Sequence, residues 1–225
     1  MFYDQTDYAI RFEWGAPGVD VLAACSRVRG MMHHTLALPI HTLRLTLRDF
    51  QASDFDGIVA YASDPEVTRF MFYGPRDQAE TYDYLQCMLQ SQTEVPRRIW
   101  EIAVVRTADG HLIGACDLTL EDELAADLGY ILARAAWGQG YATEIARTLL
   151  HVGFTQLGLQ RIFALCDIHH LASARVLEKA GLRRETTLYR YKEAKGRWWH
   201  MYRYALTYHE WLQSQAPERH RPQAR

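Results

Sequence analysis

Two glycines in the frame Trp137-Gly138-Gln139-Gly140-Tyr141-Ala142 stand between a run of strand character ending at Leu132 and a run of helical spacing from Ala142. Glycine reaches backbone conformations closed to other residues and carries no Cβ to hold a ligand off. Several N–H groups then converge where a helix begins, and that end carries about half a positive charge. Such a turn binds a pyrophosphate without a lysine. Two better-known phosphate loops do not fit. A dinucleotide fingerprint needs glycine at 143, where Thr143 stands, and a P-loop needs Gly-Lys-Ser/Thr, which the chain lacks. Taken alone, Gly-x-Gly reads equally well as a plain turn between strand and helix.

The flanking elements must place that turn. Thr42–Arg48 alternates in strand period, and Ser53-Asp54-Phe55-Asp56 reads as a capping box opening a helix through Ala62. A second helix follows Gly74-Pro75, with Tyr82, Leu85, Met88 and Leu89 at helical spacing. Ile99–Arg106 and Leu112–Leu120 read as strands joined by an Asp109-Gly110 turn, and Leu128–Leu132 as another. Ile145, Leu149, Leu150 and Phe154 line one face of the helix after the glycines. A strand at Arg161–Cys166, a helix at Ala172–Ala180 ended by Gly181, two more strands and a short helix at Tyr208–Gln215 complete the order. Antiparallel strands first, then strand–helix–strand–helix, describe one mixed α/β domain. Residues 1–40 read as an extension of unknown role, 41–215 as the domain, and the polar stretch 216–225 as a loose tail.

Composition narrows the function. A net charge of −2 over 225 residues gives no pull toward nucleic acid or acidic lipid. The four cysteines form no C-x-x-C pair, so neither a zinc ribbon nor a thioredoxin motif is present, and no metal is expected. No apolar run is long enough to span a membrane, and the first residues show no secretory pattern, so the expected location is cytoplasmic.

The Gly-loop frame resembles the GNAT superfamily of acetyl-CoA-dependent N-acetyltransferases, whose loop reads R/Q-x-x-G-x-G/A. Trp137 at the R/Q position, followed by Gly-Gln-Gly-Tyr-Ala-Thr143-Glu144, is similar to the subgroup of ribosomal-protein alanine N-acetyltransferases. A second block agrees: Asp167, Ser173, Val176, Leu177, Glu178, Lys179 and Gly181 fit D-x-x-N-x-x-S-x-x-V-L-E-K-x-G-F. There His170 replaces the usual Asn and Leu182 the usual Phe. A third lies at Gly196-Arg197-Trp198, where His200 replaces an Asp. The resemblance spans residues 42–212. Residues 8–23 stand outside it and weakly resemble the start of the 2-phosphosulfolactate phosphatases.

The resemblance implies a mostly antiparallel central sheet with two splayed parallel strands and helices on both faces. It places acetyl-CoA as co-substrate in the splay. The pantetheine would lie along Tyr130, Ile131 and Leu132, with a backbone N–H near Ile131 as oxyanion donor. The pyrophosphate would lie on Trp137, Gly138, Gln139, Gly140, Tyr141, Ala142 and Thr143, with His170 and Ser173 also against the cofactor. Asp127, in Ala-Asp-Leu-Gly-Tyr, takes the place of the general base. The tyrosine that protonates the thiolate in many relatives is replaced by Leu177, and Ser173 one turn earlier is the substitute. Phe70, Phe72, Tyr73, Tyr189 and Tyr191 fall in segments bordering the acceptor groove, Phe70 to Tyr73 being read as helical. The acceptor is a primary amine, of a protein N-terminus or a small molecule, and the chain a monomer or homodimer. A non-catalytic acyl-CoA-binding regulator is the alternative that Leu177, His170 and His200 keep open.

Overall fold

Leu45 and Leu47 alternate with Thr46 and Arg48, and this strand (β2, Leu45–Arg48) runs antiparallel to a two-residue strand before it (β1, Ile40–His41). The computed structural model describes residues 34–215; the elements expected within 1–33 and the tail lie outside the described residues. Strands β3 (Ile99–Arg106) and β4 (Leu112–Leu120) form the expected hairpin around Asp109-Gly110. Strands β5 (Ala125–Leu132), β6 (Arg161–Asp167), β7 (Arg183–Ala194) and β8 (Arg197–Thr207) complete a sheet of order β1-β2-β3-β4-β5-β6-β8-β7. Every neighbouring pair is antiparallel except β5 and β6.

Helices cover both faces. Ile145, Leu149 and Leu150 of α3 (Tyr141–Thr155) and Leu177 of α4 (Leu171–Ala180) pack on Ile102, Leu118 and Leu128. Tyr61 of α1 (Phe55–Ala62) and Tyr84, Leu85 and Met88 of α2 (Gln78–Ser91) pack on Ala103, Ala115 and Ile131 of the other face. Leu36, ahead of β1, is buried in the first of these cores, and α5 (Tyr208–Gln215) sets Trp211 against its rim. This is the mixed α/β architecture with helices on both faces that the sequence pattern implies.

Three details differ from expectation. β5 begins at Ala125, three residues early, because Ala125–Asp127 pairs in parallel with Arg161–Phe163. The capping box lies two residues upstream of the expected one, with Gln51 rather than Ser53 as its first residue: Asp54 accepts from the Gln51 N–H (2.7 Å) and from both Arg48 guanidinium nitrogens (2.7 Å each). Phe70 closes a single 3₁₀ turn, Thr68–Phe70, and Phe72 and Tyr73 lie in the loop beyond it. That loop leads to α2, whose start is fixed by a reciprocal Asp77–Glu80 box.

Candidate functional site

Parallel register between β5 and β6 ends at Asp127 opposite Phe163. Beyond that pair the strands separate and a cleft opens. Its walls include Leu128, Gly129 and Tyr130 of β5, Cys166 and Asp167 of β6, His170 just ahead of α4, and Ser173 and Leu177 on successive turns of that helix. The Tyr130 hydroxyl lies 3.0 Å from Ser173 Oγ and 3.3 Å from the Ser173 carbonyl oxygen, so a phenol from one wall meets a hydroxyl from the other. Burial pushes the Tyr130 pKa well above the ordinary phenol range, against the hydrogen bond from Ser173. Burial, helped by the neighbouring Asp167 charge, pushes the Cys166 thiol up to about 12, so no thiolate nucleophile stands here.

His170 closes the mouth of the cleft as the residue preceding α4. Its ring stacks on Phe70 at a centroid distance of 4.3 Å and an interplanar angle of 15°. Burial pulls its pKa down to about 4 against the Asp167 charge, so the imidazole is neutral at neutral pH. Asp167 is itself buried, accepting from the His169 N–H at 2.8 Å and from Arg197 at 3.4 Å.

The glycine turn sits at the far end of β5. Gly138 and Gly140 both take left-handed backbone, φ +75° and +82°, and Gly140 is the residue that starts α3. The Trp137 indole donates to the Leu132 carbonyl (2.8 Å) and the Gln139 amide to the Ala135 carbonyl (2.8 Å), which fasten the turn to the end of β5. The first N–H groups of α3, from Tyr141 onward, have no partner within the helix and face outward from its end. Glu144 sits one turn in. Burial of its carboxyl is outweighed by hydrogen bonds from Thr42 and Arg44, which hold its pKa below the ordinary range.

Asp127 lies at the crotch of the splay and is 1% exposed, not a solvated strand end. Directly opposed residues share a sheet face. Glu101 opposes Asp117, Asp117 opposes Gly129, and Asp127 follows two residues before Gly129 on the same side. Three buried carboxyl groups therefore run in a row across β3, β4 and β5. The Tyr84 hydroxyl donates to Glu101 (2.6 Å) and Thr119 to Asp117 (3.2 Å). Burial and the facing Asp117 charge push the Glu101 pKa well above the carboxylate range, against the Tyr84 hydrogen bond. Arg76 stands by, its guanidinium 4.3 Å from the Tyr73 ring centroid and 4.2 Å from that of Tyr84.

The structure thus gathers Tyr130, His170, Ser173 and Leu177 around one cleft, puts Asp127 where that cleft begins, and places Trp137–Thr143 at the other end of β5. Ile131 packs into the α1/α2 core. His200 stands apart, accepting from the Arg190 N–H (3.0 Å) and packing edge-on to Tyr189 on the β7–β8 hairpin. Phe72 touches Trp199 and Tyr191 under the same hairpin. Sequence reasoning missed Arg44, Thr42, Glu101 and Asp117. A carboxylate in an otherwise apolar strand was the available signal for the last two. Among the described residues no group of three or more His, Cys, Asp or Glu is arranged to hold a metal ion, and no helix is long and apolar enough to cross a membrane.

Comparison with known proteins agrees with this geometry. The family described as "Acetyltransferase (GNAT) domain" matches residues 44–183. The uncharacterized N-acetyltransferase p20 of Bacillus licheniformis is 34% identical over 175 residues, covering 76% of this chain and 97% of that protein. A GNAT-family acetyltransferase from Bacillus anthracis superposes with a TM-score of 0.68 at 26% identity, over 76% of this chain and 98% of the other. A spermidine N-acetyltransferase from Vibrio cholerae, solved with CoA and spermine, superposes with a TM-score of 0.64 at 20% identity, over 75% of this chain and 98% of the other.

Proposed function

This chain belongs to the GNAT acetyltransferase family, and we propose that within it the protein acetylates a primary α-amine, on a peptide N-terminus or a small molecule. It is an acetyl-CoA-dependent N-acetyltransferase, moving acetyl from the thioester to an amine. The observation that carries the narrower reading is the cleft itself, which offers neither a thiolate nor an imidazolium and begins at the buried carboxyl group of Asp127.

In this reading residues 41–215 form the catalytic domain. The pyrophosphate rests on N–H groups from Gly138 to Thr143, beside Trp137, Gln139, Tyr141 and Ala142. The pantetheine runs along Tyr130, Ile131 and Leu132, past His170. The amine nitrogen attacks the thioester carbonyl, a C–N bond forms, and the carbonyl electrons move onto oxygen, which a backbone N–H near Ile131 stabilises. Asp127, directly or through one water, accepts the amine proton. The oxyanion then collapses to re-form the carbonyl, and the C–S bond breaks with its electrons staying on sulfur. Ser173 donates a hydrogen bond to that thiolate, with the Tyr130 hydroxyl holding Ser173 in place, and CoA leaves as the thiolate, which takes its proton from water while Asp127 gives the amine proton back to solvent. No acidic tyrosine stands at Leu177, and Cys166 and His170 offer neither a nucleophile nor a cation, so direct attack with mild acid–base help is the chemistry supported.

That mildness selects the acceptor. An α-amine with a pKa of about 7.7–8.0 is roughly a quarter neutral near pH 7.4, whereas a lysine amine near 10.4 is about one part in a thousand neutral. An enzyme without a strong base gains most by binding an amine that is already neutral, and positioning supplies the rest of the rate. The test is CoA release with three acceptors: an Ala-initiated peptide, spermidine and an Nα-blocked lysine. The peptide should give the highest kcat/KM, and Asp127→Asn should cut its kcat by about a hundredfold with KM for acetyl-CoA unchanged. A preference for the blocked lysine, or full kcat in Asp127→Asn, overturns the assignment.

A further inference from the structure

The glycine turn is braced from outside by a residue far away in sequence. Arg44, on the turn into β2, lies 95 positions before Gln139, and its Nη1 donates to the Gln139 carbonyl oxygen at 2.8 Å. Its Nε donates to Glu144 Oε2 at 2.7 Å, and Nη2 reaches the same oxygen at 2.6 Å. The Arg44 backbone N–H donates to the other carboxylate oxygen at 3.1 Å, and Thr42 Oγ1 donates there at 2.6 Å. The guanidinium carbon lies 4.5 Å from the Tyr141 ring centroid. One side chain therefore holds the residue before Gly140, the residue after it, and the first turn of α3.

We infer that Arg44 is the positioning residue of the pyrophosphate loop, setting the direction of the N–H groups that meet the phosphates. The inference rests on the reading of Gly138–Thr143 as that loop. The Gln139 carbonyl and the Gly140 N–H belong to one planar trans peptide, so they point in opposite directions. Fixing the carbonyl on Arg44 turns the Gly140 N–H to the side away from Arg44. The Tyr141 stacking and the Glu144 bridge do the same for the start of α3, whose N–H groups follow. The Arg44 charge is matched by Glu144, so its part is geometric. A planar fork can hold a carbonyl and a carboxylate together, and an ammonium cannot.

The test compares two ligands that differ in the pyrophosphate. Dissociation constants for CoA, by titration calorimetry, and for pantetheine, by competition against CoA, are measured on the wild type, Arg44→Gln and Arg44→Lys. The expected result is CoA binding weakened about tenfold to a hundredfold in both variants, the range for lost charge-assisted hydrogen bonds, with pantetheine binding and the ligand-free melting temperature nearly unchanged. Glu144→Gln, which leaves Arg44 in place, should weaken CoA selectively too, and it reads the same ratio if an Arg44 variant does not fold. Equal weakening of both ligands overturns the inference, since the defect is then general. So does unchanged CoA affinity in Arg44→Gln, or full recovery in Arg44→Lys, which would make Arg44 a point charge on phosphate. A wild type that binds CoA no better than pantetheine overturns the loop reading beneath it.

Discussion

Replacing His170 by Asn, the residue usual at this position in the family pattern, separates the electrostatics of the cleft mouth from its packing. The buried imidazole titrates at about 4 in the folded chain, against an ordinary value of 6.5. Burial dominates, with the Asp167 carboxylate opposing it. The folded pKa is depressed, so between pH 4 and 6.5 the unfolded chain binds the proton and the folded chain does not. Stability is then fully present above pH 6.5 and lost as pH falls toward 4. At about 1.4 kcal/mol per pH unit the loss reaches about 3 kcal/mol at pH 4. Asparagine carries no such proton. Urea unfolding of the wild type and His170→Asn from pH 7.5 to 4.5 should show the wild type losing about 2–3 kcal/mol more than the variant. In a domain of this size that corresponds to roughly 4–12 °C of melting temperature. Two results refute the reasoning: parallel pH curves for the two proteins, or an imidazole that titrates near 6.5 by NMR in the folded wild type.

Gly140→Val forces a branched residue into left-handed backbone; it should lower the ligand-free melting temperature by about 2–8 °C and abolish the stabilisation by CoA, about 2.7 kcal/mol at a hundredfold excess over Kd. An unchanged CoA-induced shift counts against the loop. Tyr130→Phe should lower kcat about tenfold with KM for acetyl-CoA unchanged, and should cost nothing further in Ser173→Ala, because the phenol acts through Ser173; additive losses would show two independent roles. Glu101, faced by Asp117, Tyr84, Tyr61 and Arg76, has a raised folded pKa, so its contribution to stability is fully present at acid pH and falls as pH rises through that value, by up to about 1.4 kcal/mol per unit. Glu101→Gln should flatten the decline in melting temperature between pH 5 and 8, and a decline as steep as that of the wild type contradicts the shift.

Elements bounded by clear turn chemistry and continuous apolar patterning were readable in the sequence. Ile99–Arg106, Leu112–Leu120 and Tyr208–Gln215 match the expected bounds residue for residue, because apolar spacing and turn chemistry there agree with tertiary packing. The start of β5 was not readable. Ala125, Ala126 and Asp127 have poor strand propensity, and only the parallel partner Arg161–Phe163 makes them a strand. β7 was seen in part, since a bulge between Leu188 and Lys192, with Arg190 at φ +51°, interrupts its alternation. At the site, local features were legible: the glycines at their positive φ, and Ser173 on the first turn of α4. The bridge from Arg44 to Glu144 was not, although Glu144 fits the family pattern, because nothing within either segment announces a bond 100 positions away. The burial of Asp127 was equally hidden, being a property of four strands side by side.

The departures from the family pattern around the cleft share a direction. Leucine for tyrosine at 177 removes a phenol, and histidine for asparagine at 170 adds a ring that burial keeps neutral. Both leave Asp167, bonded to the His169 N–H and to Arg197, as the acidic group in the cleft wall. Three further carboxyl groups, Glu101, Asp117 and Asp127, lie on the sheet face that α1 and α2 cover and run toward the crotch. In the proposed mechanism Asp127, at the end of that row, is the group that takes the amine proton. The proposal has acetyl-CoA and the amine meet at the last parallel pair of the sheet. On this arrangement, substitutions in the row should change which amines are accepted, and substitutions in the cleft should change how fast any of them reacts.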